Sequence, residues 1–487
     1  MTLSTALSTA QSILSNTGTQ TGVVSKNISN GQNANYVRRS AVLTTGGNGS
    51  QVVAISRSQN PALLRQTIES TSTHSGQAVL LGGLQEMKSL MGGNDYETSP
   101  NKLLSNLRNS LQTWASKPSE TTLGATVIST AQDMANGLNT AANELQAIRK
   151  RADGEIAQNV DTLNQLLKQF ETANNKVKQE VAVGGNPNDA LDERDTLLKQ
   201  ISQIVGVTSA VRENQDIALY TSEGTVLFET VARTVNFAPT VAYGAATIGN
   251  SVYIDGVAVK AGVGSDTSAK GSLQALLQIR DEIAPLFQSQ LDEIARGLIV
   301  AFAEKDRADP AVLPTLPGLF TQDGTPAMPA NGLVEPGLAS RIKVHPAVIP
   351  PAGKPNLIRD GGINGPGYIA NLTESTGYSD LLNKLDQAFD TKIAFDASTQ
   401  VGGALSLQAF AADSIGWLEM RRSTAASASE NKLAMLSRAT DAYSSETGVS
   451  LDEELSLLLD IEQSYKAAAK LMSTVDAMMQ ALLEAAR

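Results

Sequence analysis

Apolar side chains recur at steps of three and four residues near the start of the chain, separated by small polar residues. Over residues 3–29 this pattern predicts one amphipathic helix, diluted by Ser, Thr and Gly. Such a helix buries little apolar surface per turn and is short of good helix formers. Because helix nucleation is costly, we expect it to be marginally stable alone. The pair Asn30–Gly31, which tolerates left-handed backbone, is predicted to end it.

The next segments alternate between strand and helix patterns. Residues 41–58 predict two short strands around a Gly-rich turn. Helical spacing returns from about 61 to 115 and, after a break at KPSE (117–120), continues for about sixty residues. Ser119 is expected to cap this long helix. At 1.5 Å per residue the helix would reach about 90 Å, and its period near 3.5 residues predicts a coiled-coil-like bundle.

The middle of the chain changes to a period of two residues. DIALYTSEGTVLFET and NSVYIDGVAVK predict hairpins, the second turning on Asp255–Gly256. A small β domain is therefore expected at about 207–265. The segments after it are predicted to be helix, irregular chain with short strands, and helix again, at 268–303, 306–370 and 378–445.

The chain closes with a second strongly amphipathic helix. Ser450 and Glu453 have the spacing of a capping box. The apolar residues behind them follow the alternating four-and-three spacing of a heptad seam: Leu451, Leu455, Leu458, Tyr465, Ala469, Met472, Met479 and Leu483. The helix would be about 50 Å long. The adaptable side chains of Met472, Met478 and Met479 suit core packing, and they equally suit a helix that changes partners.

Together these elements predict a mainly α fold with a β-rich outer region and paired, coiled-coil-like terminal helices. The expected parts are an inner polymerisation domain of 1–60 with 446–487, a helical bundle domain of 61–206 with 268–305 and 371–445, a small outer β domain of 207–267, and a Pro/Gly-rich segment, 306–370, packed on the bundle.

Composition excludes several classes of function. The formal net charge of −11 argues against a nucleic-acid partner and an anionic membrane surface. The absence of cysteine excludes disulfides and thiolate metal sites. The first basic residue is Lys26, so a cleavable signal is not expected, and no apolar run is long enough for a bilayer. The protein is expected to be cytosolic or to leave by a route that reads an uncleaved N-terminus.

Candidate chemistry is sparse. The acids Asp189, Asp192, Glu193 and Asp195 lack a calcium-loop pattern, and we interpret them as helix-capping groups that pair with Arg194 and Lys199. The only histidines, His74 and His345, have no nucleophile elbow beside them. GGNGS and GVGS lack the lysine of a phosphate loop, and the sequons at Asn48 and Asn371 are interpreted as incidental. We predict neither a cofactor nor an enzyme.

Three stretches resemble bacterial flagellar axial proteins. SKNISN…NANYVRR is similar to their N-terminal motif, with Asn35 where Gly is usual before Tyr36. NPNDALDERDTLLKQIS (186–202) resembles a stretch of the flagellar hook-associated protein 1 family, which usually has Leu at the position of Ala190. The terminal segment resembles the C-terminal helix of the same family. Because the three stretches lie at the start, middle and end in the right order, the similarity spans the chain.

The resemblance implies an inner domain of paired terminal helices, disordered in the monomer and folded in the assembled tube. It implies export to the extracellular flagellum without a cleaved signal, with a cytosolic chaperone on the C-terminal helix. It also implies a ring of copies between the hook protein and a second junction protein. Tyr36 would anchor the joint below the first helix, with Arg38 and Arg39 as candidate inter-subunit charges.

We therefore predict a non-enzymatic subunit of the hook–filament junction that assembles by coupled folding of its ends. The candidate residues of the first helix and its hinge are Leu3, Leu7, Leu14, Asn27, Ile28, Asn30, Tyr36 and Arg38. Two other readings remain: another axial protein, such as flagellin or the second junction protein, and an exported effector or enzyme with coiled-coil ends.

Overall fold

Helices make up most of the chain in the computed structural model, which describes residues 3–46, 49–306, 311–323 and 327–485. The helices are α1 (Leu3–Ser29), α2 (Pro61–Leu90), α3 (Pro100–Ser116), α4 (Thr121–Ala182), α5 (Asn188–Ile204), α6 (Ser272–Gln278), α7 (Ala284–Ala301), α8 (Leu338–Arg341), α9 (Leu357–Asp360), α10 (Asp380–Ala388), α11 (Leu407–Thr447) and α12 (Leu451–Ala485). A π-helical turn, Ile279–Ile283, joins α6 to α7.

The strands are short and pair antiparallel with near neighbours in sequence. They are β1 (Arg39–Gly46), β2 (Gly49–Arg57), β3 (Val207–Val211), β4 (Ile217–Thr221), β5 (Val226–Phe228), β6 (Val235–Asn236), β7 (Tyr253–Ile254), β8 (Val257–Ala258), β9 (Phe320–Gln322), β10 (Ile342–Val344), β11 (Lys392–Phe395) and β12 (Gly403–Ser406). Asp255 and Gly256 have φ angles of 47° and 78°, as the predicted tight turn between β7 and β8 requires.

The longest helix, α4, runs through two apolar clusters. Its 62 residues give a length of about 90 Å. The half from Val127 to Ile148 packs with α2, α3, α7 and α11. The half from Ala152 to Ala173 packs with α5, α6 and the two three-stranded sheets, β3–β4–β5 and β6–β7–β8. The predicted single long helix is confirmed, and it links both halves of the body.

Two of the predicted helical segments are interrupted. The segment 61–115 breaks between α2 and α3, where Gly92 has φ +92° and an added Cβ would lie 2.6 Å from the Glu97 amide nitrogen. The segment 378–445 contains the β11–β12 hairpin between α10 and α11. There Phe395 stacks on Phe410 with ring centroids 3.9 Å apart, so an apolar spacing read as helical comes from a strand packed on a helix.

Several predicted helix ends are wrong in detail. Glu120, not Ser119, precedes α4, and it makes no side-chain cap. Pro187 precedes α5, also without a side-chain cap. Neither Asn30 nor Asn35 adopts a positive φ. Helix α1 nevertheless ends at Ser29, and the backbone and side-chain amides of Asn30 both donate to the Lys26 carbonyl, at 3.2 and 2.9 Å.

The capping box of α12 is only half formed. The Glu453 amide donates to Ser450 Oγ at 3.4 Å, and no return bond from the Glu453 carboxylate is found among the described residues. The mainly α fold with a β-rich region and long paired terminal helices is confirmed. The division into four parts stays a prediction. No helix formed by the described residues is long and apolar enough to cross a bilayer.

A buried carboxylate on α7 ties that helix to α8. Asp292 is 1% exposed and accepts hydrogen bonds from the Gly337 and Ala339 amides, both at 2.8 Å. Burial raises the pKa of Asp292 to about 6, although these donors oppose the rise. Because the folded-state pKa lies above the unfolded value, the stability that this group contributes is present in acid and is lost as the pH rises through about 6.

On going from pH 7 to pH 4, we expect the unfolding free energy of the native chain to increase by about 2 kcal/mol relative to that of Asp292→Asn. Chemical denaturation at several pH values measures the unfolding free energy of both proteins. The difference between the two values removes the contribution of the other titrating groups. A difference that does not change with pH would contradict this account.

Candidate functional site at the paired chain ends

The two ends of the chain pair as antiparallel helices. Asn27 of α1 meets Glu454 near the start of α12, and Leu7 and Met479 line one groove at the other end of the pair. The buried positions of α12 recur every seventh residue: Glu454, Ile461, Ala468 and Val475. Ala10, Thr17 and Val24 repeat at the same interval on α1. This is the seven-residue repeat of a coiled-coil seam, with small residues that let the helices approach closely.

The eight residues predicted on the last helix lie beside this seam. Leu458 and Met472 are half-buried, and the other six are exposed: Leu451, Leu455, Tyr465, Ala469, Met479 and Leu483. Tyr465, Met472 and Met479 line a groove of ≈ 550 Å³ together with Leu7 and Leu14 of α1. The contacts within one chain therefore use a different row of α12, and the polymerisation role of the predicted residues stays a prediction.

The predicted residues of the first helix divide by position. Leu3, Leu7, Leu14, Ile28 and Asn30 are half-buried. At the hinge, Asn27 is fully buried and Tyr36 is 8% exposed. The structure thus brings the polar hinge residues together and leaves the apolar positions nearer the N-terminus partly open.

Asn27 is the centre of the hinge. Its side-chain nitrogen donates to the Arg39 carbonyl at 2.8 Å and to Glu454 Oε2 at 3.0 Å. Its side-chain oxygen accepts from the Tyr36 hydroxyl at 2.8 Å and from the Arg39 amide at 3.1 Å. All four hydrogen-bonding positions of the amide are used, so the buried side chain is fully satisfied. Burial raises the pKa of Tyr36 to about 12, which keeps its hydroxyl a donor.

Arg38 ties the same hinge to both C-terminal helices. Its Nε donates to Glu454 Oε1 at 2.6 Å, and its backbone amide donates to the Thr447 carbonyl at 2.8 Å. Glu454 is fully buried, so a charge-assisted bond and the Asn27 bond together compensate its desolvation. The start of α12 is thereby held on the segment that follows α1.

The acids of the second motif pair across elements, not within their own helix. Asp189 contacts Lys26 at 3.0 Å and Arg39 at 2.6 Å. Asp192 bridges Arg39 and Arg57 at 2.8 and 2.7 Å. Asp195 reaches Arg57 at 2.5 Å, while Glu193 is exposed. The two motifs that are far apart in sequence therefore form one ionic network at the base of the terminal helices.

The predicted pairing of these acids with Arg194 and Lys199 is wrong. Arg194 donates to the Asn174 side chain and to the Gln215 carbonyl, and Lys199 lies 5.0 Å from the centroid of the Tyr443 ring. Helical spacing alone suggested ion pairs within α5. In the structure, the acids pair instead with Arg39 and Arg57 of the β1–β2 hairpin.

Burial and ion pairing act in opposite directions on the acids of the network. Burial favours a higher pKa for Asp189, but Lys26 and Arg39 outweigh it and hold its pKa below the usual range. At Asp192 burial prevails over its two arginines, so that pKa is raised. The network thus holds at least one carboxylate firmly ionised at the surface end.

The histidines and sequon residues considered above lie in the following surroundings. His74 is half-buried, and His345 Nδ1 accepts from the Ala347 amide at 3.2 Å. Asn371 is buried and bonds Asp360 and Ser375, whereas Asn48 lies outside the described residues. In the described part of the chain, no three His, Asp or Glu side chains are grouped to hold a metal ion.

Sequence reasoning missed Glu454 and Arg57 as functional residues. A search for apolar periodicity passes over a buried charge, although Glu454 lies on the same seven-residue repeat as Ile461, Ala468 and Val475. The position of Glu454 on this repeat was the signal that could have identified it as a buried residue. Nothing comparable marks Arg57, because its partners lie on a helix more than a hundred residues away.

Two segments match models of flagellar protein families. Residues 84–309 match the flagellar hook-associated protein FlgK helical domain. Residues 441–485 match the C-terminal segment of the flagellar basal body rod FlgEFG proteins.

Curated relatives named flagellar hook-associated protein 1 align with much of the chain. The Bacillus subtilis protein is 25% identical over 424 residues, which cover 82% of this chain and 78% of the relative. The Escherichia coli protein is 25% identical over 322 residues, 63% of this chain and 58% of the relative. The Salmonella typhimurium protein is 26% identical over 292 residues, 57% of this chain and 52% of the relative.

A solved structure shows the same fold. The flagellar hook junction protein FlgK from Burkholderia pseudomallei matches with a TM-score of 0.54 at 13% identity, covering 78% of this chain and 99% of that chain. The helical-domain match, the relatives and the shared fold agree with the motifs at the two chain ends and in α5. The chain is therefore similar to the flagellar hook-associated protein 1 family over most of its length.

Proposed function

We propose that this chain is a structural subunit of the bacterial flagellum at the junction between hook and filament, and that it assembles through its paired terminal helices. The observation that carries the proposal is the apolar surface left open on α12. The large apolar side chains exposed on this helix are Leu451, Leu455, Leu457, Leu459, Tyr465, Leu471, Met478, Met479, Leu482 and Leu483.

An exposed surface of this kind requires a partner. Between 38% and 67% of each of these side chains is open to solvent. Contiguous exposed apolar patches of this kind mark interaction sites. α1 covers only one row of α12. Neighbouring copies that contribute their own terminal helices would cover the rest.

The weakness of α1 fits assembly by coupled folding. Its small polar residues include Thr9 and Thr21, which bond back to carbonyls of their own helix and compete with regular packing. A helix pair with so small a seam gains most of its stability from surrounding helices. Ordering of the ends on association is therefore part of the proposal.

The proposal also specifies the binding partners that we expect for this chain. One end of a ring of copies would contact the hook protein and the other the second junction protein. Before export without a cleaved signal, a cytosolic chaperone would cover the open face of α12. The match of 441–485 to rod proteins supports a terminal helix shared among axial proteins. The relatives carry names of structural proteins, which supports a role without catalysis.

Removal of residues 451–487 should abolish incorporation while residues 75–420 stay folded, because the two apolar clusters of the body lie outside α12. Immunogold electron microscopy with an antibody to 207–265 measures incorporation. Full-length chain should give one label at the hook–filament boundary.

The truncated chain should give no label there, while limited proteolysis still leaves residues 75–420 intact. A normal junction built from the truncated chain would refute the role of α12. Label along the whole filament would identify a flagellin, and full-length chain found only in the medium would exclude a structural role.

Replacing the exposed Leu455 and Leu459, which lie one turn apart on the same face of α12, together by Gln should weaken assembly with little effect on the single chain. Their side chains are 50% and 60% exposed, so the unfolding free energy should change by less than about 0.5 kcal/mol. Gln463→Ser on the same helix is the control. Equal occupancy of the junction by both variants, counted by immunogold, would show that this face has no partner.

Asn27→Asp should loosen the junction, because it places a second carboxylate against Glu454. The buried repulsion is expected to cost about 3 kcal/mol per subunit. At pH 7, isolated flagella that carry the variant would lose their filaments at a lower temperature than flagella with the native chain. Counts of filament-bearing hooks measure this. Asn33→Asp, in the same stretch, is the control, and identical release temperatures would count against the hinge.

A further inference from the structure

A cleft of ≈ 610 Å³ lies between the base of the β1–β2 hairpin, α2, α5 and the sheet that begins with β3. Its floor is apolar, formed by buried residues that include Ile68, Leu198 and Ile217. Arg57, Arg65 and Arg194 line its walls with one acid, Asp195. An apolar cleft with a few polar groups is the usual form of a binding site.

Arg194 is a buried cation that forms no salt bridge with a carboxylate of the described residues, although Asp195 and Asp216 lie near enough to raise its pKa. It is 5% exposed, and both of its hydrogen bonds use Nη1, to Asn174 Oδ1 at 3.1 Å and to the Gln215 carbonyl at 2.6 Å. Its buried Nε has no partner among the described residues. Burial lowers the pKa of Arg194 to about 10. An unpaired buried charge is costly, so a bound carboxylate would relieve it.

The charge of the cleft is positive in a chain whose net charge is −11. Arg57 and Asp195 pair at 2.5 Å and cancel each other. Arg65 is exposed at the rim and pairs with no described carboxylate. Arg65 and Arg194 are therefore both available to an anionic group.

One wall of the cleft is an edge strand. β3 pairs only with β4 within its sheet, so its outer row of backbone groups has no strand partner in the described part of the chain. Val207, Ser209 and Val211 line the cleft. These alternate residues share one face of the strand, so an extended segment in the cleft would lie along this face of β3.

We infer that this cleft binds an extended, carboxylate-bearing segment of a neighbouring copy of this chain, which lies along β3 and pairs with Arg194 and Arg65. The inference rests on the proposed function, which places copies side by side. A second copy fits because its surface is acidic. The cleft also shares Arg57 and Asp195 with the ionic network, so it lies beside the base of the terminal helices.

The absence of cysteine allows a direct test, because Ser209→Cys introduces a single thiol. Isolated flagella carrying this variant are labelled with benzophenone maleimide, irradiated and examined by mass spectrometry. A product of twice the chain mass, linked to a peptide with Asp or Glu, is expected. Thr208→Cys, on the other face of the strand, is the control and should give at least fivefold less product.

Arg65→Glu in the Ser209→Cys chain should lower the product at least fivefold, whereas Arg438→Glu, on an exposed part of α11 outside the cleft, should change it less than twofold. Labelled flagella that contain the chain but give no product, a product with another protein, or a yield that Arg65→Glu leaves unchanged would overturn the inference alone. Absence of the chain from flagella would overturn the proposed function as well.

Discussion

The side-chain amide of Asn27 lies between three segments that are distant in sequence: the end of α1, the strand entrance at Tyr36–Arg39, and the first turn of α12. Each of its four bonds satisfies a group that would otherwise be buried without a partner. Apolar contacts alone would allow the small seam between α1 and α12 to slide by one heptad. A fully satisfied polar centre permits one register only, because any shift leaves Glu454 buried and unpaired.

The ionic network around Asp192 extends this constraint to the body. Arg39 and Arg57, which face each other at the base of the β1–β2 hairpin, contact the same carboxylate. The hairpin, the terminal pair and α5 therefore share one set of charges. The base of the α1–α12 pair is thereby attached to the body of the subunit. The distal part of the pair lies beyond this network.

The spacing of apolar residues correctly predicted helices that keep one apolar face buried along their whole length. The 62 residues of α4 keep one apolar stripe on a buried side, so the sequence alone reveals their extent. The β11–β12 hairpin was missed because Phe395 and Leu407 bury into the same cluster from different kinds of element, and spacing does not distinguish them. At the site, Asn27 and Tyr36 could be selected from their motif. The pairing of Asp189 and Asp192 with Arg39 could not, because it depends on how three elements meet in space.

The continuity of α4 has a mechanical consequence. Both apolar clusters of the body are built on this one rod, so one cluster cannot rotate against the other without bending a regular helix or pulling side chains from a packed interior. A subunit with this construction resists twist as a stiff unit. Under load, deformation would then be concentrated in the distal part of the α1–α12 pair, where the seam consists of small residues such as Ala10 and Ala468.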